Sequence, residues 1–390
     1  MSGDPALATA RAHPVITCHS CEREVPAGEY CGACGTHLSD TAASGADRRH
    51  AFAAHPGEQV LHLSVISTLF PHLPHRQAAP FRLAFAGATV VLVALGLFQV
   101  TGPAIAAAAA VVPLLFLLYL YEVEVYEDEP IFVIAGTFLV GALLGLLWAL
   151  VTGPIVTQVV IAAGAGGPPA GDVLVAGVAL PLAGQLLMLA GAAVMYFTRS
   201  YDEALDGFAF GAAGALGFTF LSTLVYLFPE LQQGLFSNVP PVVGALRIVQ
   251  SGILIPLIAA CTTGLIAGAL WLRRGKVRAH AAQSWTTSLG ASIAVGFGAQ
   301  VALGLVSIFV SGSTVAVFIY GLVAVGLLVW VRVALHHMLL SEAVLVKIGS
   351  DSVCTHCHRL VPRMAFCPHC GIATRATPKS GAGRAGRAVR

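Results

Sequence analysis

The chain has 390 residues, 57% of them hydrophobic and only 10% charged, with a mean hydropathy of +0.82. Soluble domains carry about 25% charged residues, so this composition excludes an ordinary soluble enzyme and points to a polytopic membrane protein. The net charge of +2 gives no global electrostatic argument for a nucleic-acid partner.

The N-terminal "MSGDPALATARAHPVITCHSCE" lacks the apolar core of a signal peptide. Within it begins the first of two matched cysteine motifs. "CHSCEREVPAGEYCGACG" (18–35) and "CTHCHRLVPRMAFCPHCG" (354–371) both read CxxC, nine residues, CxxCG, and they share eight of 18 positions. A CxxC turn aims two thiolates at one ion, and a second turn completes a tetrahedral site. Two structural zinc ribbons are therefore expected, with ligands Cys18, Cys21, Cys31 and Cys34, and Cys354, Cys357, Cys367 and Cys370. Each closing glycine lets backbone N–H groups approach the sulfurs. Each site already has four thiolates, so His19, His356, His358 and His369 are read as surface residues. Cys261 stands alone in an apolar segment. Sites of this closed kind hold structure and contact partners and are not catalytic. With only Arg23, Arg359 and Arg363 in the knuckles, nucleic acid is disfavoured as a partner and a cytoplasmic protein is expected. Free thiols held for metal also fit a reducing compartment.

Between the ribbons, "VLHLSVISTLFPHLPHRQAAPFR" (60–82) is too short and too broken to cross a bilayer, and is expected to be an interfacial segment. Eight membrane spans are then expected at about 83–101, 104–121, 131–152, 173–198, 207–228, 246–272, 287–310 and 314–335, each near the ~20 residues a bilayer needs. Pro103, Pro130, Pro154, Pro229 and Pro240 fall in the expected connections. Pro113, Pro181 and Pro256 fall inside spans, which membrane helices tolerate. Basic residues crowd one set of connections: Arg48, Arg49, Arg76 and Arg82, then Arg199, then "RRGKVR" (273–278), then Arg332 and Lys347. By the positive-inside rule both termini are cytoplasmic, in an integral protein of the plasma (inner) membrane. Residues 375–390 form a basic, Gly/Ala-rich tail expected to be disordered.

"LDGFAFGAAGALGFTFLST" (205–223) places Gly207, Gly211, Gly214 and Gly217 three or four residues apart. Small residues at that spacing let helix backbones approach closely in lipid. One close helix contact is expected on this face, with the opposite face, including Phe210, mattering less. The deepest polar side chains expected in the spans are Gln185 and Gln300. Acids gather at the cytoplasmic ends instead: Glu122, Glu124, Glu127, Asp128 and Glu129, then Asp202, Glu203 and Asp206. Solvated loop acids are the default reading for them, with a metal or a cationic partner as the sharper one.

The order of "EVEVYEDEPIFVIAGTFLVGALLG", a Pro-containing span, "DEALDGFAFGAAGALGF" and "RIVQSGILIPLIAACTTGLIAG" resembles the PrsW family of intramembrane metalloproteases over about 119–335. The resemblance implies a membrane core with an acidic Glu-Pro motif, a Glu-Glu-x-x-Lys motif, a DG-x-x-YG…GLGFA-x-x-EN segment and an HP pair. It places the Glu-Glu-x-x-Lys residues at Gly184, Gln185 and Met188, the later glutamate at Ser222 with its asparagine at Thr223, and the histidine at Ile255. Holding an ion and activating water calls for carboxylates and an imidazole; these positions hold none.

The expected molecule is all-α and polytopic, with about eight transmembrane helices and two small cytoplasmic zinc ribbons. Its division is 1–59 for the N-terminal ribbon and linker, 60–82 for the juxtamembrane segment, 83–340 for the PrsW-like membrane domain, 341–374 for the C-terminal ribbon and 375–390 for the tail. Its expected role is that of a catalytically degenerate binding or scaffold protein. The alternatives are an active protease using other ligands, such as His336 and His337, and a small-solute transporter with a polar path through Gln185 and Gln300.

Overall fold

The computed structural model describes residues 13–38, 51–69, 78–98, 100, 104, 107, 110–111, 131–164, 167–198, 201, 203–232, 240–274, 284–310, 313–343 and 347–377. Six of its helices are long and apolar enough to cross a membrane: Phe132–Val159, Ala170–Tyr196, Ala204–Phe228, Val242–Leu272, Leu289–Phe309 and Thr314–Ala343. They correspond to the third through eighth expected spans. The first expected span, 83–101, overlaps a 20-residue helix, Ala78–Leu97, which is not one of these six. Most of 104–121 lies outside the described residues.

In chain order, α1 is Val65–Leu69 and α2 is Ala78–Leu97. Helix α3 is Ile131–Gly164. Helix α4 runs over Ala170–Tyr196, and α5 is Ala204–Gln232. Helix α6 joins Pro241–Val249, Gln250–Leu254 and Ile255–Leu272. Helices α7 and α8 are Leu289–Phe309 and Ser313–Ala343. Among the described residues, three two-stranded antiparallel sheets lie outside the bundle. They are β1 Val15–Thr17 with β2 Glu24–Pro26, β3 Ala51–Phe52 with β4 His55–Gln59, and β5 Asp351–Val353 with β6 Leu360–Pro362.

Helices α5 and α6 are the most buried spans and the others surround them. The glycines of α5 explain part of this, though not as one flat face. A Cβ on Gly207 would lie 2.6 Å from the Trp271 ring of α6, and one on Gly211 2.8 Å from Ala267 Cβ and Thr263 O. A Cβ on Gly214 would meet Met188 O of α4 at 3.0 Å, and one on Gly217 would meet α3 at Phe138 and Ala142. Steps of three and four residues do not return to the same angle at 3.6 residues per turn, so the stripe winds across three neighbours. From the α3 side, Gly141 and Gly145 reach the backbone of Gly214 and Phe218. The other face of α5 is also core: Phe210 is fully buried between Tyr201 and Trp271, with ring centroids at 5.2 and 6.1 Å.

Pro154 does not end α3, which runs through it to Gly164. Thr152, on the turn before it, hydrogen-bonds Trp148 O and the Tyr226 hydroxyl of α5, so α5 braces the helix where the proline interrupts its ladder. The other two prolines inside described spans are accommodated by widened turns. A π-helical turn at Val175–Ala179 precedes Pro181, and another at Gln250–Leu254 precedes Pro256. Proline lacks an N–H and its ring crowds the carbonyl four residues back, and a π turn supplies the needed room.

Helix α8 has 31 residues, so it is about 46 Å long against ~30 Å of hydrocarbon. Its last turns form a stalk on which the extramembrane parts assemble. Arg332, 1% exposed, lies at the base of this stalk. Its guanidinium donates to Glu58 Oε2 (2.7 Å), Ser67 Oγ (2.7 Å), Thr68 Oγ1 (3.3 Å) and twice to Gln59 O (3.1 and 3.0 Å). It also lies 4.0 Å from the Phe52 ring centroid. Five bonds meet the five donors of an arginine. The β3–β4 hairpin and α1 are thereby fastened to α8.

Gly211→Leu should destabilise the protein by about 1–3 kcal/mol through overpacking, and Phe210→Ala by about 3–5 kcal/mol; thermal unfolding in detergent checks both. Burial alone would raise the Glu58 carboxyl, but hydrogen bonds from Ser67 and Arg332 and the Arg332 charge hold it below 4.5. A depressed carboxylate contributes stability that is present at neutral pH and lost as pH falls through the native value. Glu58→Gln should cost about 3 kcal/mol at pH 7 and should flatten that part of the acid-unfolding curve.

Candidate functional site

The two cysteine motifs fold alike, residue for residue at an offset of 336. In each, the first cysteine's N–H bonds the carbonyl five residues on: Cys18 N to Arg23 O, and Cys354 N to Arg359 O, at 2.9 and 2.8 Å. Glu22 and His358 take the left-handed conformation at matching positions (φ 57 and 56), as do the closing glycines Gly35 and Gly371 (φ 74 and 71). Glycine is the residue that reaches such angles without strain.

The sulfurs are placed for a metal. In each set all four Sγ atoms lie within 4.8 Å of one another. The pairs Cys18–Cys34 and Cys21–Cys31 are 3.8 and 3.7 Å apart, and Cys354–Cys370 and Cys357–Cys367 both 3.8 Å. A Zn–S bond of ≈ 2.3 Å implies a tetrahedral S···S edge of about 3.8 Å. As thiols, Cys34 is drawn down to about 5, chiefly by the hydrogen bond from Cys31, while burial pushes Cys21 up to about 11. Metal ligation needs every thiol deprotonated, so loading releases protons and weakens on acidification. Bound metal would supply folding energy to the ribbon, with no open position for chemistry.

The ribbons are not independent. Tyr30 N donates to Pro368 O and Phe366 N to Gly32 O, both at 2.9 Å. The two bonds exchange under the 336-residue offset, so the ribbons pair about a pseudo-two-fold axis. The Phe366 ring lies over Gly35 and the Tyr30 ring over Gly371. His13 Nε2 meets Asp351 Oδ1 at 2.7 Å across the same junction, and His369 faces Glu29 at 3.9 Å. Ribbons that touch lie on one side of the membrane, so the number of crossings between them is even.

The pair is tied to the stalk. Ala53, in the β3–β4 turn, donates its N–H to His336 Nδ1 at 3.1 Å and accepts from Ala373 N at 3.3 Å. His337 Nδ1 meets the Thr286 hydroxyl at 2.9 Å. Both histidines thus take structural hydrogen bonds. A cleft of about 640 Å³ opens between them and the ribbons, lined by His19, Thr36, Phe52, Pro56 and Phe366. Past the second ribbon, Arg375 Nη1 reaches Glu342 Oε2 at 2.9 Å, and Glu342 Oε1 accepts from Ala204 N, the first residue of α5, at 2.8 Å. Of the acids gathered near the membrane, Asp206 accepts from Glu203 N, and Glu203 lies 3.8 Å from Arg375. The cation facing these acids is the chain's own. Glu122, Glu124, Glu127, Asp128, Glu129 and Asp202 lie outside the described residues.

Inside the membrane the two glutamines are joined through Thr262. Gln185 is fully buried; its Nε2 donates to Thr263 Oγ1 and its Oε1 accepts from Thr262 Oγ1, both at 3.1 Å. Gln300 Nε2 donates to Thr262 Oγ1 at 3.2 Å. This amide–hydroxyl chain links α4, α6 and α7. The adjacent Thr-Thr in "AACTTGLIAG" was the available signal. Gly184 lies by Trp148. Met188 packs with Ala215, Phe218 and Ala259, while Ile255 packs against a different cluster. The Ser222 hydroxyl donates to Thr219 O of its own helix at 3.2 Å. Among the described residues, the groups of His, Cys, Asp or Glu arranged to hold a metal are the two cysteine sets.

Purified protein should carry two ions per chain by elemental analysis, and Cys367→Ser should lower that count. Fewer than two in wild type would remove the metal assignment.

Residues 129–347, more than half of the chain, match the family model described as PrsW family intramembrane metalloprotease. None of the curated proteins and none of the solved structures matches.

Proposed function

Since the chain belongs to the PrsW family, we propose that it is a catalytically degenerate member, a membrane scaffold or regulator whose two zinc ribbons meet a cytoplasmic protein partner. The observation that carries this reading is the environment of Gln185. It stands where the resemblance places a family glutamate, and both ends of its amide are engaged by Thr262 and Thr263. Gly184, Met188, Ser222 and Ile255, at the other aligned positions, are likewise neutral. Neutral amides and hydroxyls between helices contribute about 1 kcal/mol each; they neither hold an ion firmly nor act as bases. The positive-inside charge pattern supports a cytoplasmic side for the ribbons.

Under this reading Gln185→Ala and Ser222→Ala leave the biological role intact apart from losses that track thermal stability. Wild type holds two ions and no third, and does not cleave a candidate membrane substrate. A third ion, with cleavage that a chelator abolishes while both ribbons stay loaded, would favour the second reading, an active protease for which family membership is the supporting observation. Orientation is tested by single exposed cysteines. Val15→Cys and Leu360→Cys should resist an impermeant thiol reagent in intact cells, while Gly171→Cys reacts; labelling of either ribbon position would reverse the assignment.

A further inference from the structure

We infer that the two ribbons load metal as one unit, and that the loaded unit holds the ribbon-side end of α5 in place. The inference rests on the reading of both cysteine sets as metal sites. It starts from the position of the pairing bonds. Tyr30 and Phe366 directly precede the third ligands, Cys31 and Cys367, and Gly32 and Pro368 directly follow them. The peptide groups flanking the third ligand of each ribbon therefore find their partners in the other ribbon. The aromatic ring at the same point covers the other ribbon's closing glycine, beside its fourth ligand. Metal that orders one knuckle orders the donor, the acceptor and the ring that the second knuckle needs. Loss of metal from one removes all three.

The output runs through five residues. Cys370 is the last ligand, and Ile372 bonds back to Cys367. Ala373 meets the hairpin at Ala53, and Thr374 closes onto Met364 and Ala365. Arg375 then sets its guanidinium against Glu342. Glu342, 2% exposed, accepts the N–H of Ala204 at the start of α5. A carboxylate at a helix N-terminus stabilises it through the exposed N–H groups and the dipole. Among the described residues, the Arg375 guanidinium is the cation that meets this buried carboxyl group. A melted ribbon would release Arg375 and leave Glu342 poorly compensated, so the cap on α5 loosens. That helix carries Gly207, Gly211, Gly214 and Gly217 and packs against α3, α4 and α6.

The test uses the full-length protein, zinc-loaded, in nanodiscs. Cys18→Ser removes one ligand of the first site, and the intact second site is then titrated with a chromogenic chelator. At least tenfold weaker retention there than in wild type is expected; unchanged retention overturns joint loading. Tyr30→Ala keeps all eight ligands and serves if the cysteine variant fails to fold. It should weaken both sites alike, and an effect confined to the first site, or none, overturns the inference. The coupling is read by hydrogen exchange. Stripping the metal should speed exchange at Ala204–Asp206 at least tenfold while Gly214–Phe218 stay protected, and Arg375→Ala should do the same with both ions retained. Exchange at Ala204–Asp206 indifferent to both changes overturns the coupling. Wild type that binds no ion overturns the metal reading itself, whereas two ions lost independently overturn the joint unit alone.

Discussion

The extramembrane architecture depends on the burial of one guanidinium. An arginine at 1% exposure is tolerable only if its charge and all its donors are answered. Arg332 obtains that from a segment more than 260 residues earlier in the chain: a carboxylate, two hydroxyls, a backbone carbonyl and an aromatic face. The hairpin that supplies Glu58 and Gln59 presents Ala53 to both His336 and Ala373. The ribbon pair thus stands on the hairpin, and the hairpin on Arg332. Beside that anchor, the described ties of the ribbons to the membrane domain include the His336–Ala53 bond and the contacts of Arg375.

The membrane core shows the opposite economy. Its interior polarity is carried by uncharged groups that satisfy one another across three helices, Gln185, Thr262, Thr263 and Gln300. The prolines at 181 and 256 lie within a few residues of this network, each behind a π turn. Irregular backbone at membrane depth is usually kept for a function or inherited from one. Here it surrounds side chains that cross-link helices, which suits a rigid framework.

Much of this was legible in the chain. Six of the spans stood out because bilayer thickness imposes a minimum apolar run. The cysteine sets stood out because metal geometry imposes a spacing. What stayed hidden shares one physical property: it depends on which distant groups meet. Arg332 reads locally as a positive-inside marker, and Glu58 as one acid in a polar linker. The ribbon pairing is made largely by backbone groups, which carry no sequence signal of their own. The α5 glycines read as one face because steps of three and four look equivalent on paper, while the slow drift of the helix sends Gly207 and Gly217 to different neighbours. Gln185 and Gln300 were visible as deep polar residues, but their shared partner Thr262 was not, because a threonine in an apolar span usually bonds its own helix, as Thr262 also does through Ile258 O.

The ribbon pairing also sets a timetable for biogenesis. Translation proceeds at ≈ 5–20 residues per second, and matching positions of the ribbons are 336 residues apart, so the first ribbon emerges roughly 17–70 s before its mate. Throughout that interval the backbone beside Cys31 and the faces of Tyr30 and Gly35 lack their final covering, while six or more helices are threaded into the bilayer. Glu58 waits nearly as long for Arg332. Until the second ribbon arrives, the Tyr30 N–H and the Gly32 carbonyl are without the partners they bond in the finished fold.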